Sequence, residues 1–253
     1  MKTEHFQYEI KAAGLTDIGS LREENQDEVI LSPKKGLFAV SDGMGGLPQG
    51  GDASAYVCRA FPMVMESCEP LLEKATTEEA AGILRETVQM ISDGLYQRGN
   101  SSGIFMFGAT LAGVMLFQEQ AVFVCLGDSR GYLLPKYKKK LIQVTEDMNV
   151  AGYLVRMGRM TKEAAKGSPA SSQLTAFVGM PAPATPETFV VDVKPGDRIL
   201  LCSDGLYGMV PEREIARLMR NSENPETVCR ELIDAANRHG GRDNISAVYI
   251  QII

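Results

Sequence analysis

The sequence predicts an α+β protein built as a four-layer α-β-β-α sandwich, two antiparallel sheets packed face to face with a helix pair outside each. Two observations predict it. Short apolar runs joined by tight turns fill residues 108–144 and return at 188–203 and 245–253, the pattern of antiparallel sheet. Segments with helical spacing come in two pairs, 52–68 with 76–96 and, after the central β region, one opening at Pro211 with 225–239. At 253 residues and 44% hydrophobic, with no internal repeat and no low-complexity stretch, the chain is expected to form one domain over 1–253.

Taken in order, residues 8–19 read as a first strand with turn signals at Gly14 and Gly19, followed by a polar stretch through Asp27. Residues 28–31 form a short strand, Ser32-Pro33-Lys34-Lys35-Gly36 a turn, and Leu37-Phe38-Ala39-Val40-Ser41 a strand buried on both faces. Asp27 and Asp42 therefore lie at the same end of one hairpin. Ala, Val and Met at helical spacing cover 52–68. Thr76 or Thr77 caps the next helix, Glu78 and Glu79 suit its first turn, and its apolar face runs from Ala80 to Leu95. Residues 99–103 read as a loop. Strands follow at 109–117 and 121–126, then a hairpin of 130–134 and 141–144 around a Lys-rich tip. Residues 146–186 break the rhythm with a short helix at 150–157, a helix start at 161–165 and a Gly/Ser stretch, and read as a loosely packed subdomain. Strands at 188–193 and 198–203, the two C-terminal helices and a last strand at 245–253 complete the chain.

The formal net charge of −6 gives no excess of Lys and Arg to neutralise phosphates, so nucleic acid is not an expected partner. The five cysteines are odd in number, irregularly spaced and without a C-x-x-C, which points to reduced thiols and a cytoplasmic setting. No apolar h-region opens the chain, and no apolar run approaches the roughly 20 residues of a membrane span.

The chemistry-bearing feature is a set of strand ends. Leu37-Phe38-Ala39-Val40-Ser41-Asp42-Gly43 and Ile199-Leu200-Leu201-Cys202-Ser203-Asp204-Gly205 each run from apolar strand into Ser-Asp-Gly. Val122-Phe123-Val124-Cys125-Leu126-Gly127-Asp128 does the same less sharply, and Asp27 and Asp243 sit at strand boundaries too. Any one alone reads as a turn Asp. Together they read as carboxylates gathered at one edge, where mutual repulsion and burial need compensating charge. Hard divalent cations supply it through oxygen ligands, and Mg²⁺ or Mn²⁺ suits this donor set; with His5 and His239 the only histidines, a structural zinc site is not expected. Two such ions about 3.5–4 Å apart activate water and clamp an in-line displacement at phosphorus. Arg22, in the polar turn before Asp27, is the candidate phosphate fork.

As an ordered set these motifs resemble the metal-dependent protein phosphatases (the PPM, or type 2C, family), in particular their bacterial Ser/Thr branch. The residues that carry the resemblance are Arg22, Asn25-Gln26-Asp27, Ser41-Asp42-Gly43-Met44-Gly45-Gly46, Gly108-Ala109-Thr110, Gly127-Asp128-Ser129-Arg130, Gly196-Asp197, Ser203-Asp204-Gly205 and Asp243-Asn244. The resemblance implies the four-layer sandwich. It implies hydrolysis of phosphoserine and phosphothreonine in proteins by a metal-activated water, with substrates supplied by a cognate kinase. It further implies that Asp42 bridges two ions, that Asp204 and Asp243 complete one site and the Gly43 carbonyl the other, and that Asp27 acts through water. Asp128 with Asp204 would hold the third ion often found in bacterial members, Arg22 would bind the phosphate, and about 146–186 would be the flap. Departures are Gln26 where many members have Glu, Met44 in place of a proposed His acid, and no His or Ser after Asp147. The flap also lacks the Arg that members often carry. A non-catalytic phosphoprotein-binding module of the same fold, or a two-metal phosphoesterase for small molecules, are the alternative readings.

Overall fold

The computed structural model describes residues 1–44, 50–101, 108–181 and 184–253; Gly45 and Gly46 of the glycine turn, 102–103 of the expected loop and 182–183 of the expected flap lie outside the described residues. Strands β1 (Ile10–Asp17), β2 (Asp27–Ser32) and β3 (Leu37–Met44) open the chain. Helices α1 (Gly50–Ser67), α2 (Glu69–Leu72) and α3 (Thr77–Ser101) follow. Next come β4 (Gly108–Ala109), β5 (Leu111–Phe117), β6 (Gln120–Leu126), β7 (Arg130–Leu134) and β8 (Ile142–Gln143). The segment 146–186 carries α4 (Val150–Arg156), α5 (Lys162–Ala165) and a 3-10 turn at Pro169–Ser172. The chain ends with β9 (Glu187–Asp192), β10 (Arg198–Cys202), α6 (Asp204–Tyr207), α7 (Glu212–Asn221), α8 (Pro225–Arg238) and β11 (Ile245–Ile252).

The strands form two antiparallel sheets, one in the order β1-β11-β10-β7-β8 and the other β2-β3-β5-β6-β9 with β4 beside β3. Period-two alternation explains the layers, because successive side chains point to opposite faces. In β3, Leu37 and Ala39 pack with Val57, Phe61 and Leu84 of α1 and α3, whereas Phe38 and Val40 face the other sheet. In β10, Leu200 and Cys202 pack against Met219 and Leu232 of α7 and α8, whereas Ile199 and Leu201 meet Phe38, Val40 and Val114 between the sheets. Both sheets are thus buried on both faces, and the expected four-layer order is the observed one.

The same pairing fixes where the strand ends lie. Asp27 stands opposite Asp42 across β2 and β3. Cys202, one residue before Ser203-Asp204, pairs with Ala247 near the start of β11 and with Arg130 at the start of β7. Leu126, just before Gly127-Asp128, pairs with Leu111. One end of the sandwich therefore receives Asp27, Asp42, Asp128, Asp204 and Asp243.

Two local readings change. The expected loop at 99–103 is helical through Ser101, because Gly99 is buried on the face of Leu95 and tertiary packing carries the helix past the glycine. Asp204 does not end a strand but begins the single turn of α6, which the pairing of Ser203 N–H with the Ser246 carbonyl (3.2 Å) separates from β10.

The layer between the sheets is expected to dominate stability. Phe38→Ala, fully buried there, should lower the unfolding free energy by about 3–5 kcal/mol. Met63→Ala, on a methionine 68% exposed, should lie within about 0.5 kcal/mol of wild type. Urea denaturation checks both.

Candidate metal and phosphate site

Backbone pairing first holds the acidic strand ends in place. The Asp42 carbonyl accepts from Thr110 N–H (2.8 Å), and Asp42 N–H donates to Thr110 Oγ1 (3.1 Å). Ser41 Oγ donates to the Thr110 carbonyl (2.7 Å), and Thr110 Oγ1 shares a 2.6 Å hydrogen bond with Ser129 Oγ. Thr110 of the Gly-Ala-Thr motif thus ties the turn after β3 to the residue following Asp128. Gly43 lies so close to α1 that a Cβ would stand 2.0 Å from the Gly50 carbonyl oxygen. At Gly205 a Cβ would stand 2.0 Å from the Asn244 carbonyl oxygen, so Ser-Asp-Gly needs its glycine at both places for close backbone approach.

The carboxylates are placed by partners that the strand-end pattern did not name. Asp27 Oδ2 accepts from Ser203 Oγ (2.7 Å), and Ser203 Oγ in turn accepts from Ser246 N–H (2.9 Å), which joins the two sheets through the serine before Asp204. Asp128 Oδ2 accepts from Asn149 Nδ2 (3.1 Å), while Asn149 Oδ1 caps α4 by accepting from Gly152 N–H (2.8 Å). Asp147 holds Arg130 through two hydrogen bonds of 2.8 and 2.6 Å. The Arg130 guanidinium stacks 3.6 Å from the Tyr207 ring, and Tyr207 O–H donates to the Asp128 carbonyl (2.9 Å). Asn244 secures the loop that bears Arg22: its Nδ2 donates to the carbonyls of Ile18 and Glu24 (2.9 Å each), and its Oδ1 accepts from Gln26 N–H (2.9 Å). Ser203 and Asn244 had a signal, the repeated Ser-Asp-Gly and the Asp-Asn pair. Asn149, Asp147 and Tyr207 had none, because their roles exist only once 146–156 folds back on β7 and α6.

Burial and mutual repulsion set the electrostatics. Burial, opposed by the Ser203 hydrogen bond, pushes Asp27 up to about 6, and burial opposed by the Asn149 amide does the same to Asp128. Asp204 rises to about 8, through burial first and then the charges of Asp128, Asp243 and Asp27. Asp42 is held well above the carboxylate range by burial and by Asp27, Asp204, Asp128 and Asp243. The charges of the other four sequence-derived carboxylates therefore all act on Asp42. Arg22, exposed at the rim, donates to Asp243 Oδ2 at 2.7 Å and feels the charges of Asp42 and Asp204, so its guanidinium stays firmly protonated. Here it engages a carboxylate; the same fork fits phosphate oxygens.

The donor set fits divalent cations. Asp27 Oδ1 and Asp204 Oδ1 are buried without a hydrogen-bond partner, a costly state that a hard cation relieves. Among the described residues, the grouping of three ligand atoms all within 4.8 Å of one another is Glu4, His5 and Glu69. That trio lies beside the β5–β6 turn at the opposite end; His5 already pairs with Glu69, and Lys35 stands 3.8 Å from Glu69.

A raised carboxylate pKa means that the metal-free fold holds protons which the unfolded chain releases. That stabilisation is complete below the ordinary value of 3.8 and is lost as pH rises through about 6 for Asp27 and Asp128 and about 8 for Asp204. In EDTA the Tm should fall as pH is raised from about 5 to about 8.5, Asp204→Asn should flatten the fall, and Mn²⁺ should raise the Tm most at the alkaline end. Scanning fluorimetry across pH reads all three, and a fall unchanged in Asp204→Asn would contradict the coupling.

Comparison with known proteins places this geometry in a family. A profile described as Protein phosphatase 2C matches residues 22–240. A serine/threonine phosphatase stp of Listeria monocytogenes is 33% identical over 240 residues, covering 93% of either chain. The crystal structure of the PPM Ser-Thr phosphatase MsPP from Mycobacterium smegmatis, in complex with cacodylate, superposes with a TM-score of 0.80 at 31% identity, over 96% of this chain and 98% of that one. The catalytic domain of the serine threonine protein phosphatase PstP, in complex with two manganese ions, does so at 0.78 and 28%, over 96% of this chain and 98% of that one. The strand-end carboxylates, the sandwich that gathers them and these similarities agree: the chain belongs to the protein phosphatase 2C family of metal-dependent Ser/Thr protein phosphatases.

Proposed function

We propose that this chain removes phosphate from phosphoserine and phosphothreonine of proteins by in-line attack of water at phosphorus, with Mn²⁺ or Mg²⁺ held at the acidic end of the sandwich. The observation that carries the reading is the convergence of Asp27, Asp42, Asp128, Asp204 and Asp243 on one rim with Arg22 beside them. Asp42 would be the carboxylate shared by two ions, as the family resemblance implies; burial and the charges of Asp27, Asp204, Asp128 and Asp243 hold its carboxyl well above the usual range. Asp204 and Asp243 would complete one position, the Gly43 carbonyl the other, and Asp27, turned toward Ser203, would act through water. Asp128 faces Asp204 as that residue's strongest charged neighbour, which suits a third ion between them. When bound, the ions supply an activated water and neutralise charge that develops on the phosphoryl oxygens.

The chain's own groups do the rest. Arg22 leaves Asp243 to grip two phosphate oxygens, and Asp243 is thereby freed as a ligand. Asn244 keeps that exchange local by fixing the loop on either side of Arg22. Met44, half-buried at the end of β3, offers no proton, so the leaving oxygen is not served by a side-chain acid from that position. Substrates carrying phosphoserine or phosphothreonine imply a kinase that makes them. The five free thiols suit a cytoplasmic setting, and among the described residues no helix is long and apolar enough to cross a membrane.

Hydrolysis of p-nitrophenyl phosphate and of a phosphothreonine peptide with Mn²⁺, Mg²⁺ or EDTA tests the reading. Turnover should require a divalent ion. Asp204→Asn should lower kcat by more than the roughly 10–100-fold that loss of a ligand's own partner costs, with the fold intact. Arg22→Ala should lower kcat/KM by roughly 10–100-fold, mainly through KM. Wild-type turnover in EDTA, or unchanged kinetics in both variants, would overturn the assignment.

A further inference from the structure

A cleft of about 590 Å³ opens beside Asp204 and Asp243, between the segment that bears α4 and α5 and the wall made by α6 and the start of α7. It is large enough for several side chains of a peptide. Its floor is apolar, from Val144, Ala151, Val155, Met209 and Val210. Its charges are distributed unevenly. Arg130 is spent on Asp147, and Arg156 on Glu146 at 3.0 Å with Glu187 at 3.9 Å. Lys162, Lys166 and Arg242 also line the cleft, all exposed, and none of them has an ion-pair partner among the described residues. Once these pairs and the metal-site carboxylates are set aside, the acid left in the lining is Glu212, on the α7 wall. The lining contributed by Lys162 and Lys166 at α5 is thus cationic, and it shares the cavity with Asp204 and Asp243.

Lysines on a short exposed helix are ordinarily a solvated surface. Their place here differs, because they line the same cavity as Asp204 and Asp243. A substrate whose phosphate sits at Arg22 has its neighbouring residues within reach of this wall. Unpaired ammonium and guanidinium groups in a concave site raise the local concentration of acidic ligands and penalise basic ones.

We propose that this cleft is a docking site for acidic residues flanking the phosphorylated Ser or Thr, and that Lys162, Lys166 and Arg242 select such substrates. The inference rests on the phosphatase reading and adds to it a substrate preference. Lys162 and Lys166 are specificity residues and take no part in the chemistry.

The test compares phosphothreonine peptides of one length whose flanking residues are Asp/Glu, Ala or Lys, with p-nitrophenyl phosphate as a substrate too small to reach the cleft. Wild type should show kcat/KM roughly tenfold higher for acidic than for basic flanks at low salt, with the gap closing toward 0.5 M NaCl as screening sets in. Lys162→Glu/Lys166→Glu should abolish or reverse the preference and leave p-nitrophenyl phosphate turnover unchanged; Lys162→Gln/Lys166→Gln should fall between. Equal turnover of all peptides by wild type, or a preference that persists in the double Glu variant, would overturn the docking site and leave the phosphatase reading standing. Failure to hydrolyse p-nitrophenyl phosphate and every peptide with Mn²⁺ present would overturn both.

Discussion

Repulsion among buried carboxylates is the constraint on which this structure turns. Asp42, Asp27, Asp128 and Asp204 each have a carboxyl driven upward by burial, and Asp42 and Asp204 chiefly also by one another's neighbours. A fold that places such groups together sacrifices stability unless something of opposite charge arrives, and two buried oxygens of the cluster are left without a partner. The rigid part of the molecule supplies the force that holds them there. Phe38, Val40, Val114, Ile199 and Leu201 pack together between the sheets, and the burial of that apolar layer offsets the cost of the acidic rim.

Around the carboxylates, short polar side chains do the aiming. Ser203 reaches from β10 to Asp27 on the other sheet, Thr110 braces both Asp42 and Ser129, and Asn244 fixes the loop of Arg22. Of the three, Ser203 bonds a carboxylate directly and leaves Asp27 Oδ1 without a partner, while Thr110 and Asn244 act through backbone groups. Partners of this kind fix the orientation of the carboxylates they support. Arg22 and Asp243 form an ion pair at the rim of this arrangement, with both members partly exposed.

The segment 146–186 is joined to the site by two different devices. Asn149 caps α4 and donates to Asp128 with the two ends of one amide. Asp147 binds Arg130, which lies on Tyr207, which holds the Asp128 backbone. Asn149 thus does both tasks with one side chain. The segment 146–186 is thus tied to the acidic end of the sandwich, and its Lys162 and Lys166 line the cleft.

Sequence alone determined the parts that depend on local periodicity and on chemistry repeated at fixed spacing. Short apolar runs joined by tight turns made the antiparallel sheets legible, helical spacing gave the two helix pairs, and apolar runs ending in Ser-Asp-Gly named Asp42 and Asp204 with their glycines. Asp27 opposite Asp42 followed from a short hairpin, where register is fixed by the turn. Tertiary structure alone decided what depends on contacts distant in sequence. The extension of α3 through Gly99, the one-turn helix at Asp204, the Asn149–Asp128 contact and the Arg22–Asp243 pair all join residues whose proximity no local pattern encodes. Lys162 and Lys166 show the same division: no local pattern places them, and only packing sets them along the wall of a cleft that Asp204 and Asp243 also line.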